Sequence, residues 1–259
     1  MAPAFVFLTG SAGRARYAPY GSRVWSDVKR LALTLAATAL VAAGCSQSAV
    51  TIDYVDFVRL GGITYVAPAA STPAGRQLQN SDLGAAYGQV KVKLDGSQDP
   101  NHQVQDGDSA FLAPGTQVYR VNGYRSTFRL AATHDGRLFL YEADSNPAAR
   151  VGSDLLDLAG RVSQIGINSQ TDGRTELGSI KDPAVVRTAV GYVEGSPVDQ
   201  SKQGVGTTEY FIDFHRADGT EVIRAYWPDA GLLARGIEVP SAFWAIVESS
   251  LEKAPAPSA

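Results

Sequence analysis

The sequence predicts an α+β protein built mainly from antiparallel β-hairpins, and three observations predict it. Turn dipeptides containing glycine recur between alternating apolar runs. Only two segments carry helical apolar periodicity, and the elements lack the strand and helix alternation of a parallel sheet. The chain of 259 residues is 44% apolar and 19% charged, enough apolar side chain to bury a sizeable core. The elements fall into an N-terminal all-β domain, 51–145, and a C-terminal ββαββα domain, 153–252. Asn146-Pro147 breaks the pattern between them, and 253–259 is a disordered Pro/Ala tail.

The first hairpin is expected from Gly61-Gly62, which joins a strand over Tyr54 to Leu60 to one over Ile63 to Ala67. Strands are also expected over Gly88 to Leu94 and Thr116 to Val121. Asp135-Gly136, a preferred two-residue turn, sets Arg129 opposite Glu142, Leu130 opposite Tyr141 and Ala132 opposite Phe139. Those pairs match charge with charge and apolar with apolar, which fixes the register. Asp154 to Gly160 suits a short helix bridging the two parts, and Asp172-Gly173 joins Arg161 to Asn168 with Thr175 to Ile180. At Asp182-Pro183 an N-cap precedes a first-turn proline. Val186, Ala189, Val190 and Val193 then make one apolar stripe, ending near Gly195. A second helix begins around Pro240, with Phe243, Ile246, Val247 and Leu251 on one face.

The longest hairpin runs from Tyr210 to Trp227. Read as a two-residue turn, Asp218-Gly219 places Phe214 opposite Ile223, Ile212 opposite Ala225 and Tyr210 opposite Trp227 on a buried face. The same register sets Asp213 opposite Arg224, His215 opposite Val222 and Arg216 opposite Glu221. Phe211 and Tyr226 then oppose each other away from the core, as a candidate binding face.

Lys29 and Arg30 precede an uncharged, mostly apolar run, Leu31 to Ala43. Its 13 residues suit the hydrophobic region of a signal peptide and fall short of the ~20 that span a bilayer. The run leads through Gly44 into Cys45, the one cysteine of the chain. Val41-Ala42-Ala43-Gly44-Cys45 resembles the lipobox of bacterial lipoproteins, with Ala42 where leucine is commonest. The resemblance implies that Cys45 is diacylated and becomes the mature N-terminus. It also implies an extracytoplasmic protein whose membrane partner is reached through that lipid. Residues 28–44 then form the signal peptide, opening Val28-Lys29-Arg30-Leu31 like a translation start. Residues 1–27, without periodicity, read as an untranslated or unstructured leader.

Removing 1–44 takes away five basic residues and one acidic residue, leaving 18 basic against 25 acidic. Such a body has no basic footprint for nucleic acid and is not drawn to anionic lipid headgroups, so the lipid must do the anchoring. The stretch from Asp106 to Tyr124, followed by Phe128-Arg129-Leu130-Ala131 and preceded by Gly62-Ile63-Thr64-Tyr65, resembles uncharacterised lipoproteins of Gram-positive and related bacteria over about 54–142. No activity, cofactor or catalytic residue comes with that resemblance.

The remaining motifs carry little chemistry. In the acidic loop Asp95 to Asp108, carboxylates at Asp95, Asp99, Asp106 and Asp108 are weak calcium-ligand candidates. Pro100 stands where the sharp turn of a calcium loop needs glycine, so no metal is expected there. His102, His134 and His215 have no metal-ligand spacing, and no Gly-x-Ser-x-Gly elbow accompanies them. Gly204-Val205-Gly206 lacks the third glycine of a dinucleotide loop. A single cysteine excludes a disulfide framework. The expectation is therefore a membrane-anchored extracytoplasmic lipoprotein without cofactor, a non-enzymatic binding or regulatory module. The alternatives are an accessory envelope-maintenance or ligand-binding lipoprotein, and a hydrolase whose catalytic groups meet only in space.

Overall fold

The computed structural model describes residues 55–67, 76–94, 102–202 and 209–251. Cys45, the signal peptide and the leader lie outside the described residues, as do Asp95, Asp99, Gly204-Val205-Gly206 and the tail. Among the described residues the fold is mostly β, with two helices.

The first sheet contains β1 (Phe57–Leu60), β2 (Ile63–Val66), β3 (Leu83–Gln89), β4 (Val92–Lys93), β5 (Asp108–Ser109), β6 (Gln117–Val121), β7 (Arg129–His134) and β8 (Arg137–Ser145). Their spatial order is β3-β6-β7-β8-β2-β1-β5-β4. Since β3 and β4 are halves of one segment bent at Val90 and Lys91, that segment supplies both edges, and the sheet closes around its own core. Val58, Tyr65, Leu112, Val118, Leu130 and Tyr141 fill the interior. Gly88 lets β3 cross Leu60, whose side chain a Cβ there would meet at 3.1 Å.

Two hairpins form where expected, the second with the expected register. Phe57 pairs with Val66 across Gly61-Gly62, and Arg129 pairs with Glu142 across Asp135-Gly136. In the second, both central residues have positive φ, 49° and 73°, the conformation that a two-residue type I′ turn requires.

The second sheet contains β9 (Val162–Ser169), β10 (Glu176–Ile180), β11 (Tyr210–Arg216), β12 (Glu221–Trp227), β13 (Leu232–Leu233) and β14 (Ile237–Glu238), in the order β10-β9-β11-β12-β13-β14. Helices α1 (Pro183–Gly195) and α2 (Ser241–Leu251) pack on β9 and β10. The Asp182 carboxylate caps α1 by accepting the backbone N–H of Ala184 and Val185, and the expected stripe of Val186, Ala189, Val190 and Val193 is buried. The strands β13 and β14, which the expected C-terminal order lacks, are two residues each and too short to show alternation. Where a short helix was expected after Asp154, the chain makes one 3-10 turn, Gly152–Asp154. Leu155, Leu156 and Leu158 then drop into the core beneath β9 and β11. Both sheets lie within one compact unit, Val50–Ala259.

The hairpin of β11 and β12 departs from expectation by one residue. His215 pairs with Glu221, Asp213 with Ile223, Phe211 with Ala225 and Tyr210 with Tyr226. The loop therefore holds one residue more than a two-residue turn. Gly219 N–H donates to Arg216 O and Arg216 N–H to Thr220 O, with Gly219 alone at positive φ, 81°. That is a type I turn followed by a left-handed glycine, the three-residue alternative for the same Asp-Gly dipeptide. A one-residue slip exchanges the faces of β12. Val222 and Tyr226 point into the core with Ile212 and Phe214, while Ile223, Ala225 and Trp227 point the other way.

Candidate functional site

That slip removes the binding face expected at Phe211 and Tyr226. Tyr226 is fully buried, its ring 5.3 Å from Phe243 and 6.2 Å from Trp244, and Phe211 opposes Ala225. Phe211 instead lines a cavity of 490 Å³ shared by β12 and the first sheet. Its apolar wall comes from Val55, Val66, Ala67 and Ala143 on one side and Phe211, Ile223, Ala225 and Trp227 on the other. That volume and that mostly apolar lining are typical of small-molecule sites.

Glu142, Glu221, Arg224 and Arg235 supply the polar part of the wall. Glu142 is the centre of a buried ionic network. Its Oε1 accepts from Arg129 Nε at 3.0 Å and Nη2 at 2.6 Å, and its Oε2 accepts from Arg224 Nη2 at 2.9 Å. Arg129 is fully buried and also donates to Thr220 Oγ1 and Glu221 O, at 2.7 Å each. Burial would push the Glu142 carboxyl up, but the guanidiniums of Arg129 and Arg224 outweigh it and hold it below its ordinary range. The sequence pairs Arg129 with Glu142 as cross-strand neighbours but gives no sign of their burial.

Arg224 keeps one group free. Its side chain is 10% exposed, and its Nε has no hydrogen-bond partner. Arg235 pairs with Asp144 and sits at φ 75° in the β13–β14 turn, where a side chain other than glycine costs about 1–2 kcal/mol. Three guanidiniums, Arg129, Arg224 and Arg235, thus face two carboxylates, Glu142 and Asp144. The other carboxylate on the wall, Glu221, lies 3.3 Å from His215 Nδ1.

The acidic loop is engaged by the protein itself where it is described. Asp106 accepts the backbone N–H of Gly62, and Asp108, buried, accepts from His102 Nε2 and Gln105 N at 2.7 Å each. His134 lies near Asp135, at 3.5 Å. His215 is the histidine that sequence reasoning undervalued. Asp213 and His215 share a face of β11 at the spacing of two, a pattern present in the sequence. Glu221 joins them only because of the shifted register. Comparisons with protein-family models, curated proteins and solved structures find no match to this chain.

Proposed function

We propose that the chain is an extracytoplasmic, non-enzymatic binding module, lipid-anchored through Cys45. The cavity between β2, β8 and β12 takes an amphipathic ligand with an anionic oxygen head. The apolar body of that ligand rests on Phe211, Ile223 and Trp227, and its head accepts from Arg224 and Arg235. The observation that carries this reading is the placing of two guanidinium side chains, Arg224 and Arg235, in the wall of a mostly apolar cavity. The left-handed Arg235 fits a residue kept for its side chain. We read the two sheets as two modules, all-β over 51–145 and ββαββα at its core over 153–252. The cavity then takes one wall from each.

Binding is tested with a fluorescent long-chain carboxylate. Wild type should bind it saturably, and Ala225→Phe, which fills the cavity without touching the ionic network, should not. Equal binding by the two, or none by wild type, refutes the site. Anchoring is tested by separating membranes from supernatant for wild type and Cys45→Ala, and equal partition of the two refutes it.

A further inference from the structure

The outward face of the second sheet gathers a different set of groups around a glycine. Gly166 on β9 opposes Asp213 on β11. A Cβ at Gly166 would lie 3.2 Å from His215 Nε2, 3.5 Å from Asn168 Oδ1 and 3.5 Å from Glu176 Oε2. Three donor atoms from three strands therefore converge over a backbone position that carries no side chain. Asp213 Oδ2 lies 3.6 Å from the same Nε2. Bonds of about 2.0–2.2 Å to a tetrahedral ion put neighbouring donors roughly 3.4 Å apart, so the imidazole and the carboxylate already stand near that separation.

Asp213 is a second, independent pointer to a cation ligand. Its side chain is 7% exposed and its Oδ1 accepts no hydrogen bond. Among the described residues neither Asp213 nor the Glu221 side chain meets a lysine or arginine, and the one ring beside both is His215. A buried carboxylate oxygen without a cation or hydrogen bonds is costly. On the other side of the ring, Glu221 Oε1 stands 3.3 Å from Nδ1. A carboxylate on the second nitrogen is the usual way to fix the tautomer and aim of a metal-bound histidine.

We propose that this face binds one divalent cation of the zinc class, held by Asp213 and Nε2 of His215. Glu176 and Asn168 complete the oxygen donors, and Glu221 positions the ring through Nδ1. A single imidazole with several carboxyl or amide oxygens suits zinc; calcium takes oxygen ligands alone. The site lies on the face of β9 and β11 that carries Phe211, and it borders the cavity, whose wall includes Glu221.

The test is calorimetric titration of the purified full chain carrying Cys45→Ser, so that the thiol does not compete, with zinc chloride and separately with calcium chloride. One zinc per chain is expected, with at least tenfold weaker binding of calcium. Asp213→Asn and His215→Gln should each weaken zinc binding 100-fold or more, and Glu221→Gln about 10- to 100-fold. Melting in EDTA verifies folding, and Asp213→Asn should melt no lower than wild type because it removes a buried unpaired charge. Absence of zinc binding by wild type, or binding unchanged in a folded Asp213→Asn, overturns the proposal. A loss in Glu221→Gln as large as that in His215→Gln overturns the assignment of Nε2 as the ligating nitrogen.

Discussion

Glu142→Gln tests whether the buried charges hold the two sheets together. The carboxylate accepts three charge-assisted hydrogen bonds, at 3.0, 2.6 and 2.9 Å, from guanidiniums on β7 and β12 whose side chains are 0% and 10% exposed. At such separations each ion pair is worth on the order of 4 kcal/mol at an effective dielectric of 20, before the cost of taking the charges out of water. Glutamine has nearly the same shape but leaves Arg129 and Arg224 buried without a counter-charge. Breaking a buried pair in this way costs about 3–5 kcal/mol. For a protein of this size each kilocalorie lowers Tm by about 2–4 °C, so the variant should melt roughly 6–20 °C below wild type. Urea titration at pH 7 measures the free energy directly. A loss under about 1 kcal/mol would refute the idea that this network fastens β8 to β12. Acid supplies a second check. Because the folded carboxyl titrates below 4.5, its contribution is present above that value and is lost as pH falls through the folded pKa. The gap between wild type and Glu142→Gln should therefore close as the pH falls toward 2.

Three further outcomes follow from the same geometry. Tyr226→Ala should cost about 3–5 kcal/mol in urea titration and Trp227→Ala less than half of that, because Tyr226 fills the core and Trp227 faces the cavity; the reverse order would restore the two-residue register. Asp213→Asn should stabilise the metal-free chain at pH 7. With the folded carboxyl raised to about 6, its stabilising contribution is complete below the unfolded value of 3.8 and lost as pH rises through 6. Wild type should therefore lose up to about 1.4 kcal/mol per pH unit between those values, and a profile identical to that of the variant would contradict the burial of an unpaired carboxylate. Gly152→Ala should destabilise by about 1–3 kcal/mol or more, since its Cβ would fall 2.0 Å from the Val193 carbonyl oxygen; an unchanged urea midpoint would mean that this crossing is loose.

How much of the fold the sequence discloses depends on how local the deciding forces are. The α1 helix is legible in full, because Asp182, Pro183 and four apolar residues at helical spacing act within one short segment. The Asp135-Gly136 hairpin is equally legible, since flanking Arg129 and Glu142 select a single register. At Asp218-Gly219 the same dipeptide permits two loops, and the adjacent pairs Val222-Ile223 and Tyr226-Trp227 let either face of β12 serve as the apolar one. Local residues thus set the two helices, the hairpins with selective flanks and the joint presence of Asp213 and His215 on one strand face. Tertiary structure decided the rest. Arg129 donates to Thr220 Oγ1, Tyr124 donates to Asp218, and Arg76 N–H donates to Gly219 O, contacts from distant segments that hold the longer loop in place. Long-range hydrogen bonds at one turn thus set the register of a whole strand. That register buries Tyr226, opens Trp227 to the cavity and brings Glu221 beside His215, none of which a pattern confined to neighbouring residues can encode.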